Sequence, residues 1–529
     1  MSGFKHCFER TLRKALDFIA VIVALFLPSK KGIECLPPIR DPILLQSCVK
    51  LVDKIKAGQL KSETVVKAFI KRVEEVDPLI NAVTDRRFED AIREAQAIDR
   101  KISELRQSSN SENDELFKLP LLGVPFTGKD SLAVKGMNQT AGLYARKSFK
   151  SDEDAIAIRN IRKAGAILIG ITNVPELCMW FDSDNTIFGR TNNPYDLSRV
   201  PGGSTGGNAA CLAYAGSAIG IGSDIGGSIR MPSFFCGIFG HKTTNMVVPT
   251  EGHYPDVGER EKFLAAGPMC RYAADLKPFL KAMAGDNISK IAKIDEKVDF
   301  KKLKFYYGEC SGEAITSPVQ NEILNAIHKV VNHFAQNFGC SVRKHQFDEV
   351  KHSFDIFRYT LVACNCPPMS AEMTQHHGEV NLELELIKNL LGLSQHTLPV
   401  IICALLEKYT PKQTNGTADP DYVRMGRKLN EELTSLLGDE GIYVFPCHPE
   451  VAPKHKTTLL KFQNIAYSAI FNMLDVAITQ CPVGLNSEGV PVGVQIIAKA
   501  YNDHLTLAVA EEIERAFGGW VPPSKIVID

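Results

Sequence analysis

Residues 201–208 read Pro-Gly-Gly-Ser-Thr-Gly-Gly-Asn, and residues 222–230 read Gly-Ser-Asp-Ile-Gly-Gly-Ser-Ile-Arg. An apolar run separates the two turns, and small and apolar residues continue towards Lys242. Each turn carries a serine, Ser204 and Ser228, 24 positions apart. Glycines gather where backbone takes positive φ or comes close to a partner. A serine in such a turn has bare backbone N–H groups beside its hydroxyl. That combination suits acyl transfer, which needs a nucleophile and donors for a developing oxyanion. Gly/Ser-rich turns also serve as plain loops, and two of them can cradle phosphate at helix N-termini. Neither turn fits Gly-x-x-x-x-Gly-Lys-[Ser/Thr], and the first does not fit Gly-x-Gly-x-x-Gly, so nucleotide binding is the weaker reading.

A third element lies upstream. Gly123–Asp130 reads Gly-Val-Pro-Phe-Thr-Gly-Lys-Asp, which puts Lys129 just past a short apolar strand. A lone lysine there is ordinarily a solvated loop residue. Beside two serines it suggests a Ser–Ser–Lys relay, because a desolvated, neutral lysine can act as the base a serine nucleophile needs.

Outward from these turns, strand and helix alternate. Leu121–Thr127, Ala166–Ile171, Ser217–Ile221 and Lys304–Tyr307 read as strands, and Ala155–Ala164 and Asn208–Tyr214 as helices. Upstream, helices are expected over Ile43–Gly58, over Ser62–Val76 with Asp77-Pro78 as the stop, and over Phe88–Leu105. Residues 108–115 read as a polar loop. The alternation predicts an α/β fold, a large mixed twisted sheet between helical layers, with Lys129, Ser204 and Ser228 in loops at strand ends. No Pro/Ser-rich linker follows residue 32, so 33–529 is expected to form one large domain.

Composition fits an ordinary globular protein: 529 residues, 44% hydrophobic, 23% charged, no net charge. The charge balance argues against a nucleic-acid partner. Fourteen cysteines lack paired spacing, and Cys364-x-Cys366 with His376-His377 is not a zinc pattern, so no metal or cofactor is expected.

Residues 1–32 differ. Lys5, Arg10, Arg13 and Lys14 precede an apolar run, Phe18–Leu27, which Pro28, Lys30 and Lys31 close. Ten apolar residues are short for a spanning helix. A signal-peptide core, a short single-pass anchor and an interfacial helix all fit. No clean cleavage site follows, so membrane anchoring is expected. The charge bias would leave the N-terminus cytosolic and the body luminal, with which sequons at Asn138, Asn287 and Asn415 are compatible. A second apolar region, Glu383–Tyr409, is broken at Pro399. It reads equally as two core helices or as a hydrophobic cap for membrane contact and acyl-chain entry.

These motifs resemble the amidase signature hydrolases, and among them the membrane-associated fatty-acid amide hydrolases. Gly202–Lys242 is the most specific part of the match. Gly170–Leu177, Asn192–Asp196, Gly267–Arg271 and Gly489–Ile497 extend it. The resemblance implies Ser228 as nucleophile, Ser204 as bridging serine and Lys129 as base. It implies an oxyanion hole from the N–H groups of Ile225, Gly226, Gly227 and Ser228, with Asp224 and Arg230 orienting the loop. Cys178, Met179, Trp180 and Phe181 resemble the family's substrate-lining segment and read equally as core packing. The implied reaction is hydrolysis of a long-chain fatty-acid amide at a membrane, endoplasmic reticulum or lipid droplet. A homodimer is compatible with it. A different small or aryl amide, a tRNA-dependent amidotransferase subunit and a lipid-amide binding protein are the alternatives. Gly128 stands where relatives carry a bulkier residue, a departure expected to loosen the setting of Lys129.

Overall fold

The computed structural model describes residues 2–107, 114–410 and 420–528. Most of the expected polar loop, residues 108–113, and the sequon at Asn415 lie outside them. An 11-stranded sheet runs from Val83 to Lys499. Its strands are β1 (Val83–Arg86), β2 (Pro125–Lys129), β3 (Ile167–Thr172), β4 (Ile219–Asp224), β5 (Phe239–Lys242), β6 (Ala265–Cys270), β7 (Lys304–Tyr307), β8 (Ser341–Lys344), β9 (Gly441–Phe445), β10 (Val476–Leu485) and β11 (Pro491–Lys499). Their order is β1-β3-β2-β4-β6-β5-β10-β11-β9-β7-β8. β3, β2 and β4 are mutually parallel, as are β9, β7 and β8, and the remaining neighbours are antiparallel.

Every residue of β2, β3, β4 and β9 is buried. Strands buried on both faces need cover on both sides, so the sheet lies between helical layers. The Asp503–Phe517 helix packs on β10 and β11, Phe88–Gln107 on β3, and Gly206–Ala213 on β4 and β2. The mixed sheet and its layers are those expected from the alternation.

Several boundaries fall elsewhere than the residue pattern placed them. β2 runs to Lys129, so that lysine is the last strand residue rather than a loop residue. The expected Ile43–Gly58 helix divides into a short 3₁₀ turn, Pro42–Leu45, and a helix, Cys48–Ala57, whose N-cap Ser47 accepts from Lys50 N. Gly58 ends it at φ +70°, as expected.

The next helix runs from Ser62 to Ile80, through Pro78, and ends at Asn81 with φ +60°. Pro78 lies in the final turn, where it removes one N–H from the ladder just before the helix ends. The chain turns instead where the Asp77 carboxylate accepts from Ala82 N at 2.7 Å. Ser62 does not cap this helix. The Asp99 carboxylate does, accepting from Ser62 N and Glu63 N at 2.7 and 3.0 Å, while the Ser62 hydroxyl donates to Gly123 O.

The N-terminal helix spans Ser2–Leu25, longer than its apolar run. Among the described residues no helix is long and apolar enough to cross a membrane, so the single-pass expectation has no support here. The charged residues that precede the apolar run lie within the helix and include an Arg13–Asp17 ion pair at 2.5 Å. One side of the helix rests on the 3₁₀ segment Thr458–Ile465. Phe8, Phe18, Val21 and Leu25 stay exposed. Beyond it, Ser29 Oγ and Lys30 N donate to Asp196, and Gly32 N donates to Tyr195 O, so the segment is clasped to the body.

The apolar region downstream forms two helices, Leu382–Leu390 and Leu398–Tyr409. Their break is the turn at 391–397. Pro399 sits in the first turn of the second helix, where its missing N–H has no partner to lose. The region is divided between buried and exposed residues. Leu382, Val400, Ile401 and Ala404 are buried against Leu143 and Leu177, while Leu384, Ile387, Leu390, Leu391 and Leu393 are exposed.

Candidate active site

β2 and β4 are parallel neighbours, so the last residue of one and the end of the other meet at one edge of the sheet. That edge holds Lys129, Ser223 and Asp224. The turn before the Gly206–Ala213 helix brings Ser204 to the same place. Lys129 is fully buried. Its Nζ lies 2.8 Å from Ser204 Oγ, 2.8 Å from Ser223 Oγ and 3.3 Å from Ser223 O. Burial pushes the amine below its ordinary pKa, while Cys178 and the Asp224 carboxylate oppose that shift. The neighbouring carboxylate, Asp130, does not reach the amine. It accepts from Thr140 N and from the Thr140 hydroxyl. At Gly128 a Cβ would stand 3.0 Å from Ile171 Cδ1.

Ser228 lies in the second turn, whose shape Asp224 sets. The Asp224 carboxylate accepts from Gly227 N at 2.7 Å and Ile229 N at 3.0 Å. Arg230 donates to both its oxygens, Nε to Oδ2 and Nη2 to Oδ1, each at 3.0 Å. Burial works to raise this carboxyl, but the paired guanidinium overrides it and holds the group well below the usual carboxylate range. Residues far along the chain complete the clamp. Arg230 Nη1 donates to Ser468 O and Gln495 Oε1, and Asn472 Nδ2 donates to Asp224 O and Oδ1. Gly227 takes φ +112°, and a Cβ there would stand 2.2 Å from Ser468 Oγ, so only glycine fits. Thr205 N donates to Ser228 O at 3.2 Å and ties the two turns together.

The four N–H groups expected to form an oxyanion hole differ in what they meet. Gly227 N–H is committed to Asp224 and Gly227 does not line the pocket. Ile225, Gly226 and Ser228 do line it, and among the described residues their N–H groups have no partner. Of the four expected donors, Gly227 N–H is thus already engaged, because the carboxylate that shapes the turn accepts its hydrogen bond.

Ser204 and Ser228 both open onto one pocket, as do Cys178, Met179, Trp180 and Phe181. Trp180 and Phe181 stack at 5.3 Å, and Trp180 Nε1 donates to Thr458 Oγ1. Phe354, Phe357, Leu361, Cys403, Leu406 and Phe462 add apolar wall to the same pocket. Arg260 and Glu407, paired at 2.7 Å, add a polar stretch. Among the described residues no cluster suits a metal ion.

Two site residues escaped sequence reading. Ser223 touches the lysine, and His253 touches Ser223, with Nε2 3.0 Å from its Oγ. Ser223 is embedded in the second glycine-rich turn, where its neighbour Ser228 drew the attention. His253 lies 25 residues further on in an irregular loop, with no local pattern to mark it.

Known proteins resemble this chain in sequence and in fold. Residues 64–507 match the family model described as Amidase. The human protein named fatty-acid amide hydrolase 2 is 43% identical over 525 residues, covering 97% of this chain and 98% of that protein. The zebrafish (Danio rerio) protein named fatty-acid amide hydrolase 2-A is 41% identical, covering 100% and 99%. A solved structure titled fatty acid amide hydrolase superposes with a TM-score of 0.71 at 21% identity, covering 92% of this chain and 87% of that one, which shows the shared fold. The chain belongs to the amidase signature family of amide-cleaving hydrolases.

Proposed function

We propose that the chain hydrolyses long-chain fatty-acid amides to the free acid and an amine or ammonia, through Ser228, Ser204 and Lys129. The observation that carries this is a buried amine, held below its ordinary pKa, 2.8 Å from a serine that shares an apolar pocket with a second serine. Ser228 Oγ attacks the carbonyl carbon, and its proton passes through Ser204 to Lys129 Nζ. The N–H groups of Ile225, Gly226 and Ser228 receive the oxyanion, an effect worth about 3 kcal/mol per donor. On collapse the C–N bond breaks, and the Lys129 proton returns through Ser204 to the leaving nitrogen. Water then attacks the acyl ester, loses its proton along the same path and releases the acid and Ser228.

The apolar wall from Phe181 to Phe462 supports an acyl chain as occupant. The exposed leucines of residues 384–393 and the outer face of the N-terminal helix support contact with a membrane surface, lying on it rather than crossing it.

The test is labelling with a fluorophosphonate, which phosphonylates an activated serine. Ser228→Ala should lose labelling and turnover of oleamide while keeping its melting temperature. Labelling that persists on Ser204 would refute the assignment.

A further inference from the structure

His253 stands outside the three residues of the relay, yet it closes a hydrogen-bonded chain that ends on the base. Its Nδ1 is 3.1 Å from Pro255 O and its Nε2 is 3.0 Å from Ser223 Oγ. A carbonyl oxygen can only accept, so Nδ1 carries the proton. The ring is neutral: its pKa lies well below the ordinary histidine value, first through burial and then through the nearby Lys129, with Pro255 O and Asp256 opposing. Nε2 is therefore an acceptor, and the Ser223 hydroxyl donates to it. The lone pairs of Ser223 Oγ then face Lys129 Nζ, beside the Ser223 carbonyl oxygen.

We infer that His253 is a positioning residue that fixes, through Ser223, the direction of the hydrogen bond between Ser204 and Lys129. A neutral amine has two N–H groups and one lone pair. The two acceptors of Ser223 occupy the two N–H groups. The lone pair is left for the one remaining close partner, Ser204 Oγ, whose hydroxyl must donate. Once the proton has moved, the new N–H points back at Ser204 and no group has to turn. Without an acceptor at position 253, the Ser223 hydroxyl is free to donate to the lysine lone pair and compete with Ser204. The other groups facing the amine, Cys178 and Asp224, are the same in either arrangement.

The inference rests on Lys129 as the base, and the experiment separates the two. Steady-state kinetics on oleamide are measured against pH for wild type, Lys129→Ala, His253→Leu, His253→Gln, Ser223→Ala and the His253→Leu/Ser223→Ala double variant, with melting temperatures alongside. His253→Leu should lower kcat about tenfold, the weight of one buried hydrogen bond, with KM unchanged. It should also shift the ionisation governing kcat to lower pH, because a hydroxyl donating to the amine favours its neutral form. His253→Gln offers one donor and one acceptor and should restore most of kcat. The double variant should be no slower than Ser223→Ala alone, since the competing hydroxyl is gone. Wild-type kcat and profile in His253→Leu, or additive losses in the double variant, would overturn the inference while Lys129→Ala still confirms the base. An unchanged pH profile in Lys129→Ala would instead refute the base itself, and the role of His253 with it. Should His253→Leu not fold, His253→Met carries the same test.

Discussion

At the scale of single residues, the proposed role of Lys129 as base depends on its amine being kept neutral. A free lysine titrates near 10.4 and is overwhelmingly protonated at neutral pH. Burial lowers Lys129, so the fraction able to take a proton grows as pH rises through its depressed value. Turnover should therefore climb along one ionisation, and Lys129→Ala should erase that limb and slow acylation by about 10²–10⁴, the range of general acid–base assistance. The loss should be greater for an amide than for an ester of the same acyl chain, since an amine needs a proton to leave. Matched pH–rate profiles on the two substrates check this, and equal losses would make Lys129 structural. Ser204, Ser228 and Lys129 were legible as candidates, the serines because each sits in a turn whose glycines advertise close backbone approach, the lysine because it closes a short apolar strand. His253 was not legible. Its role comes from a contact with Ser223, 30 positions away, and no local spacing encodes it.

At the scale of elements, the second glycine-rich turn owes its shape to a buried ion pair rather than to its glycines alone. Asp224 and Arg230 are both fully buried. Arg230→Met would leave a carboxylate in the interior without its partner, which typically destabilises by about 3–5 kcal/mol. The variant should melt well below wild type, and adding Asp224→Asn should recover part of the loss. Calorimetry at pH 7 reads both. The sign with pH follows from the depressed carboxyl. Its stabilisation is fully present above the ordinary carboxylate range and fades only as pH falls towards strong acid. Element types were legible wherever the period was clean, as at Lys304–Tyr307, which matches its strand residue for residue. Boundaries were not legible where tertiary contacts set them. The Ser62–Ile80 helix begins under an aspartate from the next helix and ends at a carboxylate that local pattern reads as a stop signal.

At the scale of the whole molecule, the N-terminal segment is at once an exposed apolar surface and part of the packing. Deleting residues 1–27 should reduce binding to phospholipid vesicles yet leave hydrolysis of a short, soluble amide nearly unchanged, because the pocket serines lie on other elements. Deleting through residue 32 should also lower the melting temperature, since Asp196 then loses Ser29 and Lys30. Vesicle flotation and thermal melts of the two truncations check this, and a short truncation that binds like wild type would shift the membrane contact to residues 384–393. The change in composition that marks this segment was legible. Its clasp was not, because that depends on a loop more than 160 residues away.

The grip on Asp224 and Arg230 by Ser468, Asn472 and Gln495 also has a bearing on how the protein is made. A chain emerging from the ribosome presents both serines and the lysine before it is half synthesised. The turn that carries Ser228 has no firm shape until the last strands arrive, because its guanidinium and carboxylate await partners near the C-terminus. A chain truncated before Ser468 should therefore show no amide hydrolysis, because the clamp on Asp224 and Arg230 is then missing, and an activity assay of that fragment checks this.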